Sequence, residues 1–259
     1  KQRYTVDLKP LGGSFQIDRV LDAVAAGAET SFQMNELINQ SAAAFADAVF
    51  NGDTAVDANG FDGLSKILTG STTEYLPLSN GVATGYVDWT SGTLDTKAEA
   101  LAAMAHIDAW LATLDGPPDA IYGNRRALAL FRGIAAWADM IDRTTDQFGR
   151  QVLSYGGIPL VDPGATVGSN NDILALATRD ADAAGAGGNI TNLADLYAVR
   201  FGLDGFHGVS VSGQPLVNTW LPDFSAAGAV KTGEVEMGPV AVVLKRTRAA
   251  GVFRNIKVA

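Results

Sequence analysis

The opening stretch, "KQRYTVDLKPLGGSFQIDRVL", alternates apolar and polar positions at Tyr4-Val6-Leu8 and again at Phe15-Ile17, with Pro10 and Gly12-Gly13 between the two runs. A period of two puts successive side chains on opposite faces of an extended chain, so the spacing predicts β structure broken at the proline and glycines. The first piece is rich in charge, and Lys and Arg guard an exposed edge against unwanted pairing, so a protruding strand is expected there. From Thr30 the period changes: Met34, Leu37/Ile38, Ala42, Phe45 and Ala48/Val49 recur at helical spacing. Thr30 and Gln33 match a capping box, and Asn51-Gly52 are the residue types that close a helix in the left-handed conformation. The polar face carries Asn35, Glu36, Asn39, Gln40 and Asp47, while Ala42-Ala43-Ala44 leaves room for another backbone or subunit to approach.

A glycine-rich turn then leads to a short apolar element at residues 61–68, and residues 69–93, rich in Thr, Ser and Gly without a periodic run, are expected to be loop. Thr96 and Glu99 form a second capping box, opening a helix that runs to about Leu114 and is stopped by "DGPP". "DAIYGN" predicts a short buried strand, and Asn124 caps a third helix from Arg125 to about Asp139. Beyond Gly149 short apolar runs separated by Gly, Asn and Asp predict strands, and "GPVAVVLKRTRAAGVFRNIKV" is expected to close the chain as one long strand. Alternation along it would put Lys245, Thr247 and Ala249 on one face and Arg246 and Arg248 on the other. The order of elements predicts an α+β fold whose C-terminal strand returns to pack near the first helix.

The 259 residues allow one large domain or two that interleave. With 47% apolar and 18% charged residues the chain has a globular composition, and no apolar run approaches the roughly 20 residues that cross a bilayer. The absence of cysteine excludes disulfides, thiolate catalysis and thiolate metal sites. The chain opens on Lys1 with no signal-like leader, which is expected of a processed chain or of one whose beginning is missing. A formal charge of −9, with basic residues scattered except for "LKRTR" at residues 244–248, argues against sequence-specific DNA binding and permits passive proximity to DNA. "KRTR" as a nucleic-acid patch is weighed against an intersubunit salt-bridge role that is at least as well favoured.

Candidate chemistry is sparse. No Gly-Lys pair exists to build a P-loop, and "GVSVSG" at residues 208–213 lacks the second glycine of a nucleophile elbow. His106 and His207 have no second ligand at metal spacing and no partner nucleophile, so a helix-surface histidine and a strand-bend histidine account for them. Asp139, Asp142 and Asp146 are interrupted by Arg143 and followed by Arg150, the pattern of a self-paired surface. "GAGGN" at residues 185–189 misses the dinucleotide spacing, and the sequons at Asn39 and Asn189 are short enough to arise by chance.

Taken together, "ETSFQMNELINQSAAAFADAVFNGD" followed at once by "GFDGLSKIL", with "KQRYTVDLKPLGGSFQIDRVL" before it, "DAIYGNRRALALFRG" and "YGGIPLVDPG" later and "AVVLKRTRAAGVFRNIKV" at the end, resembles the major capsid proteins of tailed bacteriophages with the Hong Kong 97-like fold. The resemblance covers nearly the whole chain. It implies residues 1–12 as the returning strand of a protruding E-loop, residues 13–90 and 238–259 as a peripheral domain with a spine helix at about 30–50, and residues 91–237 as an axial domain. It implies a non-enzymatic virion shell assembled in the bacterial host cytoplasm from pentamers and hexamers of the chain, with portal and decoration or scaffolding proteins, enclosing double-stranded DNA without sequence-specific binding. No cofactor, metal or membrane partner is expected. Lys1, Arg3, Lys9, Lys245, Arg246 and Arg248 are the candidate intersubunit contacts. Some relatives join subunits through a lysine on the E-loop and a neighbour's asparagine, aided by a glutamate; Lys1 and Lys9 lie in that region, but no matching Asn and Glu can be placed. An encapsulin, the nanocompartment shell of the same architecture, and a gene-transfer-agent capsid are the alternatives in fold. A soluble α+β hydrolase with an unrecognised Ser or Asp site is the alternative of another class.

Overall fold

The structure, a computed structural model, describes residues 5–25, 27–77, 85–90, 94, 96–145, 151–181 and 188–259, without the side chains of 141–145 and 151–153. In chain order its elements are β1 (Lys9–Asp18), α1 (Arg19–Val24), α2 (Ala28–Asn51), α3 (Leu64–Leu68), β2 (Glu74–Tyr75), β3 (Val87–Asp88), α4 (Lys97–Leu111), β4 (Ala120–Gly123), α5 (Arg125–Trp137), β5 (Ile141–Thr145), β6 (Gln151–Tyr155), β7 (Ile158–Val161), β8 (Ala177–Arg179), β9 (Ile190–Val199), β10 (Phe206–Ser210), β11 (Val217–Trp220), β12 (Val230–Leu244) and β13 (Ala250–Lys257), with a 3-10 turn at Thr247–Ala249. The chain divides into two compact units, one of residues 1–63, 165–171 and 208–243, the other of residues 64–164, 172–207 and 244–259. The span 91–237 is thereby shared between them.

The first unit holds a sheet ordered β1-β12-β10, with β11 also paired to β12, and α2 packs on β1. Pro10 and Gly12-Gly13 do not break the extended chain as expected: β1 runs through them, with a bulge between Lys9 and Leu11 that absorbs the proline. Gly12 has to be glycine, because a Cβ there would overlap the Val235 carbonyl oxygen of the paired strand. Residues 5–8 are not strand. The alternation does set the faces: Phe15 and Ile17 share one side with Gly233 and Lys231, and the Phe15 ring fills the space a Cβ on Gly233 would need, 2.5 Å away. Ser14, Gln16, Thr232 and Glu234 stand exposed on the other.

The long helix is present where its periodicity put it, although Ala42 of the expected apolar stripe is exposed and Ser41 is buried instead, and both ends differ in mechanism. It begins at Ala28, after Gly27 in the left-handed region (φ 82°), and no Thr30–Gln33 capping box forms. Asp22 of α1 takes the Thr30 N–H and hydroxyl at 3.2 and 2.6 Å, while Gln33 bonds Glu29 at 2.9 Å. At the far end Gly52 has φ −54°, so handedness is not its role. Its N–H donates to Ala48 O (3.0 Å), its carbonyl accepts from Gly63 N–H (2.8 Å), and any Cβ would collide with the Phe61 carbonyl. Gly52 and Gly63 are the pair of small residues that lets residues 53–63 loop out and return flush against the helix end. Phe61, 3% exposed, is thereby delivered to the Phe45 ring at a centroid distance of 6.1 Å.

The second unit is built on a nine-stranded sheet ordered β2-β13-β9-β4-β7-β6-β5, with β3 on β13 and β8 on β9. Its apolar core joins Trp89, Met104, Ile107, Trp110, Phe131 and Phe253. The Thr96–Glu99 capping box of α4 is present, and Asn124 Oδ1 accepts from Arg126 N–H at 2.9 Å to cap α5. Residues 69–93, expected as loop, contain β2 and β3, each two residues long and parallel to β13, too short to carry a period. The expected single closing strand is two strands in different sheets, because the 3-10 turn at Thr247–Ala249 bends the chain between them. β12 therefore pairs with β1 beside α2, while β13 lies inside the second unit's sheet, antiparallel to β9.

Within that sheet Arg254, 8% exposed, ties three elements together. It pairs with Glu74 through Nε and with Asp195 Oδ2 at 3.2 Å, and donates to Ser65 O (2.9 Å) and Thr69 Oγ1 (3.0 Å). Arg179 grips the same Asp195 with both terminal nitrogens at 2.7 Å. A buried charge in such a place is tolerated because each of the three Arg254 guanidinium nitrogens meets an acceptor and both carboxylates are bonded.

Candidate assembly surfaces

His106 Nδ1 shares a 2.9 Å hydrogen bond with Tyr75 OH, and Tyr155 OH donates to Asp108 at 2.5 Å. Burial, then the Asp108 carboxylate, pushes the Tyr155 phenol far above its ordinary range, so it stays protonated. Asp139 pairs with Lys97 at 2.8 Å, which holds its carboxyl below the usual range. Asp142 and Asp146 fall where no side chain is described. Among the described residues no three His, Cys, Asp or Glu side chains could hold a metal ion.

Two concavities stand out. A cleft of about 240 Å³ in the second unit is lined by Trp89, Leu94, Ala100, Leu130, Ile134 and Trp137 together with small residues, with no acid or base among the described residues of its lining. A broader one of about 430 Å³ in the first unit follows the end of α2 past Asp47, Asp53 and Asp57. Each of these carboxylates accepts from its own segment: from Asn51 Nδ2 at 2.7 Å, Ala55 N–H at 2.9 Å and Asn59 N–H at 2.9 Å. Asp53 and Asp57 are turn-formers, and Asp47 is tied to the last residue of its own helix.

The expected contact residues separate into three cases. Lys1 and Arg3 lie outside the described residues. Lys9 donates to Ala58 O at 3.0 Å, fastening the start of β1 to the returning loop of its own unit. Lys245, Arg246 and Arg248 do not alternate along a strand, since the chain bends there. Arg246 reaches Asp115 at 3.5 Å and Asp204 at 3.8 Å, Arg248 Nε donates to Thr113 O at 2.9 Å, and the Lys245 N–H donates to Gly205 O at 3.1 Å. This corner is a brace of the second unit.

What the residues build instead is surface. Over its 24 residues α2 buries only Met34, Ser41 and Phe50, so most of a helix about 36 Å long lies open or half-open. Helix α1 buries nothing. Val20, Leu21 and Val24 are 64%, 58% and 84% exposed, and Phe32 in the first turns of α2 is 58% exposed. The Asp22–Thr30 bonds hold α1 to α2, and Arg19 N–H donates to Ala229 O at 2.8 Å, which brings the exposed Val230 alongside. Clustered apolar exposure of this kind marks an interaction face, whereas scattered single residues do not. The sequence signal was present in "RVLDAV", a six-residue segment capped by Asp18 (Oδ1 to Val20 N–H, 2.7 Å), but it is too short to show a period.

No protein-family model matches the chain, and none of the curated proteins compared with it matches by sequence. Solved structures do. The holo-SrpI encapsulin complex from Synechococcus elongatus PCC 7942 aligns at a TM-score of 0.58 and 13% identity, over 97% of this chain and 75% of that one. The capsid of an empty GTA particle aligns at 0.51 and 13%, over 98% of this chain and 74% of that one. The chain has the fold of these two subunits.

Proposed function

We propose that the chain is a capsid-type shell protein, which encloses rather than catalyses, and that its specific role is the major capsid protein of a tailed bacteriophage, tiling an icosahedral shell around double-stranded DNA. The observation that carries this is the extent of the shared fold: 97% and 98% of the chain align on about three quarters of the encapsulin and GTA capsid chains, so the likeness runs through nearly all of this chain and is not of one small motif. The exposed α1 and α2 faces support it.

In this assignment α2 is the spine helix of a peripheral domain, β4 to β9 of the second unit's sheet belong to an axial domain while its β2, β3 and β13 fall in the peripheral spans 13–90 and 238–259, and residues 1–12 form the returning arm of the E-loop, strand from Lys9 onward. Lys9 to Gly12 pair within their own unit, so the overhang onto a neighbour is left to the residues before Lys9. Pentamers and hexamers of the chain, a portal, and decoration or scaffolding proteins are its partners, assembled in the host cytoplasm. Charge is compatible: the first unit has 12 acidic and 5 basic residues, a net −7, and an acidic wall repels phosphates instead of pinning them.

The better alignment on the encapsulin favours a second reading, a nanocompartment that holds a cargo protein. Negative-stain electron microscopy and sedimentation of native material test both. Closed particles hundreds of ångströms across are expected, with packaged DNA for the phage or gene-transfer reading and cargo protein for the compartment. A lone subunit with a substrate in a cleft refutes the shell. A monomer band from intact particles in a denaturing gel rules out lysine–asparagine crosslinking through Lys1 or Lys9.

A further inference from the structure

Almost every cation with a described side chain is occupied inside its own unit. Arg254 holds Glu74 and Asp195, Arg246 reaches Asp115 and Asp204, and Lys9 and Lys231 donate to backbone carbonyls. Arg19, bonded through its backbone alone, and the pair Arg125 and Arg126 depart from this pattern, and only the last two stand side by side. Arg125 and Arg126 are exposed in the first turn of α5, and among the described residues neither makes a hydrogen bond or ion pair through its side chain. No acidic residue stands in that turn, and the positive end of a helix disfavours two cations. The nearby Asp172 carboxylate is bonded by Asn124 Nδ2 at 3.0 Å, not by either arginine.

The opposite arrangement occurs on the outer face of the first unit's sheet. Glu234 and Glu236 lie two residues apart on β12, so both carboxylates point the same way. Their paired neighbours are Ser14 and Trp220 for Glu234, Gly12 and Asn218 for Glu236, all uncharged. Lys231, the cation of the same strand, is buried on the other face, bonded to Ala226 O and Ala227 O. Two like charges side by side, with no cation bonded to either among the described residues, are a standing electrostatic cost.

Resting on the shell reading, we propose that these two features are one contact: Glu234 and Glu236 of one copy dock on Arg125 and Arg126 of a second copy. Charge complementarity assigns the occupant, since each face lacks what the other presents. The two faces are different surfaces of one chain, so the contact is head-to-tail, the kind that closes into rings when the rotation permits. A two-fold contact would need one self-complementary patch instead.

The test is a charge swap in the full chain, read by the fraction of protein that sediments as particles. Glu234→Lys with Glu236→Lys, and separately Arg125→Glu with Arg126→Glu, are each expected to cut that fraction at least about tenfold at low salt. The four-fold variant, with both faces reversed, is expected to regain particles. Arg125→Glu and Arg126→Glu place carboxylates at a helix N-terminus, where they are favourable, so wild-type thermal unfolding of the unassembled subunit is expected and misfolding is separable from lost docking. Normal assembly of either reversed pair, or a folded four-fold variant that stays unassembled, overturns the contact. Loss of DNA retention by the Arg125→Glu, Arg126→Glu variant with particles intact assigns the arginines to nucleic acid and also overturns it. A wild-type chain that never assembles refutes the shell reading, and this contact with it.

Discussion

Replacing Gly52 or Gly63 by alanine tests why the 24-residue helix stops where it does. A Cβ on Gly52 would overlap the Phe61 carbonyl oxygen and stand 2.5 Å from that of Ala48. On Gly63 it would stand 2.5 Å from Ala48 O, 2.8 Å from Gly52 N and 2.9 Å from Val49 O. All of these are backbone atoms, which cannot swing aside as a side chain can. Relief must come from lifting the returning loop off the helix end, which breaks the 2.8 Å bond from Gly63 N–H to Gly52 O and draws Phe61 away from Phe45. Overpacking costs about 1–3 kcal/mol, the hydrogen bond about 1 kcal/mol, and full exposure of a phenylalanine about 1.5–3 kcal/mol. Because one opening motion relieves the first at the expense of the other two, the net is about 3–4 kcal/mol rather than their sum. For a chain of this size that lowers the melting temperature by about 6–15 °C. Gly133→Ala is the control with the opposite sign: nothing lies within 4 Å of its would-be Cβ, and it sits inside α5, where alanine is favoured by about 1 kcal/mol. Thermal unfolding of the unassembled subunit, followed by circular dichroism, should rank Gly133→Ala above wild type and both glycine-pair variants far below. A Gly52→Ala chain that melts with wild type would show that the loop does not seat on the helix end as described.

Three further outcomes are expected. Thr96→Ala removes the acceptor for the Glu99 N–H (3.3 Å) and should lower stability in urea by about 1 kcal/mol, with Thr96→Ser restoring it. Arg254→Met leaves Asp195 and Glu74 without their shared cation and should cost about 3–5 kcal/mol by the same assay; Arg254→Lys should recover little, since one ammonium cannot span Glu74, Asp195, Ser65 and Thr69. At Asp88 burial acts upward, but hydrogen bonds from Thr90 and the Lys257 ammonium outweigh it, so the folded pKa is depressed. Its contribution is therefore present above the ordinary aspartate value near 3.9 and lost as pH falls through the lower folded value, and Asp88→Asn should flatten that part of the acid stability profile.

The contrast between the two capping boxes explains what a sequence discloses here. Thr96 and Glu99 close their box on each other, so a cue spanning four residues was enough. Thr30 and Gln33 present the same letters, yet Asp22, eight residues earlier, claims Thr30, and the helix starts elsewhere. Gly52 was legible as a stop but not as the seat for Phe61, nine residues on. The two-residue strands β2 and β3 exist only because β13, the last strand of the chain, supplies their ladder. The same distance governs the surface residues. Lys9, Arg246 and Arg248 were recognisable as cations, whereas their partners Ala58, Asp115 and Thr113 lie 49 to 135 positions away, and those bonds decide that they brace their own unit. Arg125 and Arg126, or Glu234 and Glu236, have no motif to announce them. An unpaired charge is a property of the finished fold, visible only after every other charge has found its partner. On the proposed shell reading, the informative residues are the ones folding leaves unsatisfied, because a second copy would be the remaining source of what they lack.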